Sequence, residues 1–199
     1  MKRKSILFLA VLTLMAIISW SANVGQAGGL EIGTTIEDFT LPDTNGENKS
    51  FNDLKGEKGA VVVWLSVQCP MVKAYNDRIN EIAAEFQSRG INFIGINSNV
   101  SESPEAIKTH AAQHYKFPVL IDKGNVLADK FGATKTPEIY YFDAKNVLLY
   151  HGAIDNDKNG TNITANYLRD AASSNLSGKK IETPSTNAFG CTIKRVEKK

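Results

Sequence analysis

Between Ala60 and Leu65 six apolar residues follow one another without interruption, with three valines at the centre. A half-exposed strand alternates polar with apolar residues and a surface helix carries only a stripe, so an unbroken apolar run this short reads as a strand buried on both faces. Such a strand needs helices packed above and below its sheet. The residues that follow, Ser66-Val67-Gln68-Cys69-Pro70, lead it directly into a proline. Proline's fixed φ and missing N–H suit the first position of a helix. The sequence therefore predicts a helix from about Pro70 to Ser88, stopped by Gly90, with Met71, Ile79, Ile82, Ala83 and Phe86 as its apolar stripe.

The same reading extends along the chain. Asp38 to Leu41 and Lys49 to Phe51 flank the turn residues Asp43-Thr44-Asn45-Gly46 and predict a β-hairpin, followed by a loop from Asp53 to Gly59. Ile91 to Asn97 is a strand, and Ser103-Pro104 caps a helix reaching about Tyr115. Phe117 to Asp122 is a strand and Val126 to Phe131 a short helix. Glu138 to Asp143 and Val147 to Tyr150 form a hairpin pair, and Thr164 to Leu176 a last helix. This is an α/β fold: a central mixed β-sheet flanked by helices, with an N-terminal β-hairpin.

Lys2, Arg3 and Lys4 precede thirteen uncharged residues, Ile6 to Ile18, and Gly25-Gln26-Ala27 offers a cleavage site. The pattern is that of a signal peptide over residues 1–27, too short in its apolar part to span a bilayer. The alternative is an uncleaved N-terminal anchor extended by Ser19 and Trp20. An exported protein, periplasmic or extracellular, is expected, with one domain over residues 28–199 and a polar, mobile tail over 177–199. Of the 23 basic and 21 acidic side chains, the signal segment takes three basic ones and leaves 20 against 21, a formal charge of −1. That balance points to no nucleic-acid partner and to no membrane contact beyond the signal segment.

The chain has two cysteines, Cys69 and Cys191. A cysteine at a helix start feels the positive end of the helix dipole and unpaired backbone N–H groups, which favour the nucleophilic thiolate. The plain alternative is a buried cysteine packing as a small hydrophobe. An oxidising compartment would allow the two to form a disulfide, and sequence does not decide whether they meet. Other candidates are weaker. His110 and His114, four apart, lack further zinc ligands nearby and read as an exposed helix face. Asp155-Asn156-Asp157-Lys158-Asn159-Gly160 opens like a calcium loop, but Asn166 stands where a bidentate Glu belongs, so 155–166 reads as a polar turn. No metal and no cofactor is expected. Trp64 and Tyr140 read as core and sheet residues.

Taken together, several segments resemble the thioredoxin fold and, more narrowly, the alkyl hydroperoxide reductase and thiol-specific antioxidant superfamily. They are Asp38-Phe39-Thr40-Leu41-Pro42-Asp43 with Asn45-Gly46, Val61 to Trp64, Ser66-Val67-Gln68-Cys69-Pro70, Phe131-Gly132-Ala133 and Thr136-Pro137. The ending Gly190-Cys191-Thr192-Ile193-Lys194 resembles that of peroxiredoxin-like proteins with a Cys-Pro motif. The resemblance implies a thiol oxidoreductase with Cys69 as nucleophile, Cys191 as resolving cysteine or as a structural staple, and Ser66 hydrogen-bonding near the sulfur. It implies that Thr136-Pro137 is a cis bond lying against the cysteine, and that Pro70, Thr136 and Pro137 shape a substrate site. The partners implied are an external thiol reductant and a protein-disulfide or peroxide substrate.

The chain departs from both branches of the superfamily. Ser66 replaces the first cysteine of a Cys-x-x-Cys dithiol, while Val62 and Pro137 stand where a peroxiredoxin has a proline and a peroxide-binding arginine. The missing arginine favours disulfide exchange over peroxide reduction. A non-enzymatic alternative is a binding module that presents the Thr136 edge to a peptide, held by an inert Cys69–Cys191 bond.

Overall fold

A computed structural model describes residues 29–197. The expected signal peptide, residues 1–27, lies outside the described residues. Strands β1 (Thr40–Pro42) and β2 (Asn48–Ser50) form the N-terminal hairpin, followed by the short helix α1 (Phe51–Leu54). Then come β3 (Gly59–Leu65), α2 (Pro70–Gln87), β4 (Ile91–Asn97), α3 (Pro104–His114), β5 (Val119–Ile121), α4 (Val126–Phe131) and β6 (Lys135–Thr136). The chain ends with β7 (Glu138–Asp143), β8 (Leu148–Gly152), α5 (Tyr167–Leu176) and β9 (Cys191–Thr192). Among the described residues no helix is long and apolar enough to cross a membrane.

The main sheet has the order β5-β4-β3-β7-β8, with β3, β4 and β5 parallel and β7 and β8 antiparallel. All seven residues of β3 are buried, as the apolar run requires. Its side chains divide two cores by alternation. Val61, Val63 and Leu65 join the buried faces of α2, α3 and α5 in one cluster. Ala60, Val62 and Trp64 join Phe51 of α1 and Leu127, Ala128 and Phe131 of α4 in the other. Trp64 and Tyr140 are core residues, their rings 5.0 Å apart edge to face.

Four expectations shift. Phe51 opens a helix instead of closing a strand, because Ser50 Oγ accepts the N–H of Asp53 at 3.1 Å as an N-cap. The last helix begins at Tyr167, three residues later than expected, because the Asn156 side chain accepts the N–H groups of Thr164 and Ala165 at 2.9 and 3.0 Å. Strand β8 continues to Gly152, where the chain must pass close to Thr186: a Cβ there would lie 2.4 Å from the Thr186 carbonyl oxygen. Over residues 177–197 the tail is not a mobile appendage. Thr186 N–H donates to His151 O at 3.0 Å, Ile193 N–H donates to Thr134 O at 3.0 Å, and Lys194 accepts from Val100 N–H at 3.1 Å. Ile193 is buried in the second core, so the tail has an apolar anchor that its polar composition concealed.

Candidate active site

Cys69 stands at the junction of β3 and α2 as the N-cap residue of the helix, in extended conformation, and its carbonyl accepts the N–H of Lys73 at 3.2 Å. Pro70 takes the first helical position, as the sequence predicts. The residue is 1% exposed, packed beneath the tail, and is disulfide-bonded to the half-buried Cys191, with 5.8 Å between the Cα atoms. Its sulfur lies 3.1 Å from the carbonyl oxygen of Thr136, and the Thr136–Pro137 bond is cis.

The tail reaches this point as a strand. Cys191 and Thr192 pair antiparallel with Thr136 and Lys135, so Cys191 faces Thr136 across the ladder. Gly190 allows the approach: a Cβ on it would lie 2.1 Å from the Thr136 oxygen and 3.2 Å from the nitrogen of Pro137, both backbone atoms. Cys69, Pro70, Thr136, Pro137 and Cys191 thus converge. Ser66 is turned elsewhere: its hydroxyl donates to Glu102 Oε1 at 2.5 Å.

Two buried carboxylates that the sequence reading did not single out hold the loops on either side of the disulfide. Glu102 accepts from the Ser66 hydroxyl, from the N–H groups of Val67 and Gln68 at 2.9 and 3.1 Å, and from the Asn97 amide at 2.7 Å. It fastens the loop that leads into Cys69. Glu138 accepts the N–H groups of Thr134 and Lys135, both at 2.7 Å, and pairs with His151 Nε2 at 2.7 Å. It fastens the loop that carries the cis bond. Burial pushes the Glu138 carboxyl up, but the bonds from His151 and from the two backbone N–H groups outweigh it, and the group ends below its ordinary range. The signal for Glu138 was an acidic residue opening an otherwise apolar strand. For Glu102 it was a carboxylate between two serines, which resembles an ordinary helix approach.

The four arginines among the described residues are committed to carboxylates: Arg78 to Asp155, Arg89 and Arg169 to Glu85, and Arg195 to Asp129. Arg78 also packs against the 155–166 turn. Its guanidinium donates to Asp155 Oδ2 at 2.5 Å and to the carbonyls of Asp157 and Lys158 at 2.8 and 3.0 Å, so a cationic side chain already occupies that turn's oxygens. The histidine pair departs from expectation. His114 is exposed, but His110 is buried, its ring 4.6 Å from His114 and 5.7 Å from Tyr115. The helix face packs on the loop carrying Tyr115, which the spacing of two histidines did not reveal.

The sequence profile described as the AhpC/TSA family matches residues 32–151. Among curated proteins the chain is similar to the thiol-disulfide oxidoreductase ResA of Bacillus cereus, 24% identical over 149 residues that cover 72% of this chain and 84% of that protein. Among solved structures it is similar to a hypothetical protein of Sinorhizobium meliloti, with a TM-score of 0.77, 29% identity and coverage of 86% and 98%. A peroxidoxin, BcpB of Mycobacterium tuberculosis, shares the fold with a TM-score of 0.54, 17% identity and coverage of 74% and 95%.

Proposed function

Since this chain belongs to the AhpC/TSA family, we propose that it is an exported thiol-dependent oxidoreductase exchanging disulfides between Cys69 and Cys191 and an outside partner. The observation that carries the reading is the Cys69–Cys191 bond set at the start of α2 against the Thr136–Pro137 cis bond. In the reduced protein the Cys69 thiolate, favoured by the helix N-terminus, attacks one sulfur of a substrate disulfide and releases the other as a thiolate. The Cys191 thiolate then attacks the Cys69 sulfur, expels the substrate thiolate and restores the internal bond. Two electrons have passed to the substrate.

Regeneration needs an external dithiol. Cys69 is covered and Cys191 is half-buried, so the incoming thiolate reaches the Cys191 sulfur. Cys69 is also the better leaving group, because the helix start stabilises its thiolate. Peroxide reduction is the less supported chemistry: the described arginines are spent on Asp155, Glu85 and Asp129. The non-enzymatic binding module loses support too, since an inert bond would keep β9 permanently on the Thr136 edge it is meant to offer. Export rests on the pattern of residues 1–27, with residues 28–199 as the working domain.

Redox titration of the mature protein across glutathione poises, with Cys191→Ser alongside, tests the reading. A reversible two-electron transition between about −120 and −270 mV, absent in the variant, is expected. A bond that resists reduction well below that range would identify a staple and overturn the exchange reaction.

A further inference from the structure

Building on the exchange reaction above, we propose that the tail occupies the seat of a polypeptide substrate, and that the site selects segments that pair with β6 at the reacting cysteine and carry glycine immediately before it. Three observations define the seat. Cys191 is held in the position of a mixed disulfide on Cys69 while its backbone pairs with β6. The residue before it passes close to the cis bond, where a Cβ would come within 2.1 Å of the Thr136 oxygen and 2.7 Å of its carbon. That bond belongs to backbone held by Glu138, so it does not give way as a flexible side chain would.

The third observation concerns the flanks. Two residues before Cys191, Phe189 packs against the first core, its ring 6.3 Å from that of Tyr75. Two residues after it, Ile193 is 3% exposed in the second core. Main-chain pairing gives affinity while pockets for side chains give specificity. The seat therefore reads an apolar residue, glycine, cysteine, any residue, and an apolar residue. A substrate with this pattern displaces the reduced tail, forms its disulfide with Cys69, and leaves when Cys191 returns.

The experiment uses the full mature chain carrying Cys191→Ser, reduced, and the peptide Asn-Ala-Phe-Gly-Cys-Thr-Ile-Lys with its cysteine linked to thionitrobenzoate. The Cys69 thiolate attacks the peptide cysteine sulfur and expels the coloured thionitrobenzoate anion, which is followed by absorbance. A second peptide has alanine in place of the glycine, and the symmetrical thionitrobenzoate disulfide serves as a reagent with no peptide. The serine-bearing tail competes equally with both peptides and leaves their ratio unchanged. The glycine peptide should react about tenfold faster or more, the penalty expected when a methyl group is forced into a filled contact. Equal rates within about twofold, with Cys69 still reacting with the reagent, would overturn the glycine rule and leave the exchange reaction standing. No reaction with any of the three would overturn both.

Discussion

Glu102→Gln asks whether the loop before Cys69 depends on a carboxylate or merely on a side chain of that size. Oε1 accepts from the Ser66 hydroxyl at 2.5 Å and from Gln68 N–H at 3.1 Å, and Oε2 from Val67 N–H at 2.9 Å and the Asn97 amide at 2.7 Å. A glutamine keeps one acceptor and places an NH₂ group where the other stood. If the NH₂ takes the place of Oε1, the Ser66 hydroxyl turns to accept, but Gln68 N–H faces a donor. If it takes the place of Oε2, Val67 N–H and the Asn97 amide both lose their acceptor. The milder arrangement still gives up one charge-assisted bond and strands one part-buried N–H, each costing about 1–3 kcal/mol. The expected loss is therefore about 2–6 kcal/mol, read as a lower urea midpoint for the oxidised protein followed by the fluorescence of buried Trp64. Ser66→Ala, which removes a single donor and leaves the acceptor its other bonds, should cost about 1 kcal/mol in the same assay. If Glu102→Gln shifted the midpoint by less than Ser66→Ala, the carboxylate would not be what holds this loop.

Arg78→Ala removes the charged partner of Asp155, whose side chain is 4% exposed, and should lower stability by about 3–5 kcal/mol in thermal unfolding; a shift of a few tenths would show that the 155–160 turn holds itself. His110 supplies a pH dependence. Burial holds its imidazole below the ordinary histidine value, with His114 and Lys73 acting in the same direction and Glu102 opposing them. The unfolded chain then binds the proton more readily, so stability is full above about pH 6.5 and falls as pH drops toward the depressed folded value. His110→Leu should flatten that fall in urea midpoints compared at about pH 7.5 and pH 5, and an unchanged slope would place the titration elsewhere.

The parts of this protein legible in its sequence are those carried by local physics. The Ala60–Leu65 run, the Pro70 and Ser103-Pro104 helix starts and the turn at Gly46 are each decided within a few residues, and the structure has them. Cys69, Pro70, Thr136 and Pro137 were readable as neighbours because the resemblance supplied the fold that joins them. What stayed hidden depends on partners distant in the chain. Ser66 could not announce that its hydroxyl belongs to Glu102, 36 positions later. Lys194 likewise gives no sign that its N–H goes to Asn99, 95 positions earlier. The tail looked loose because its anchors, Ile193 and the β6 edge, become visible only once the sheet is assembled.

The internal bond also sets how the molecule behaves under tension. Cys69 and Cys191 lie 122 positions apart, whereas residues 29–68, with β1, β2, α1 and the central strand β3, lie outside the closed ring. A pull on the two ends of the oxidised chain can draw out only that N-terminal part and the last few residues, because the covalent ring carries the load past everything between the sulfurs. Cutting the bond releases up to about 440 Å of further contour length, at about 3.3–3.6 Å per extended residue. The redox state of one sulfur pair is thus written into the reach of the whole chain.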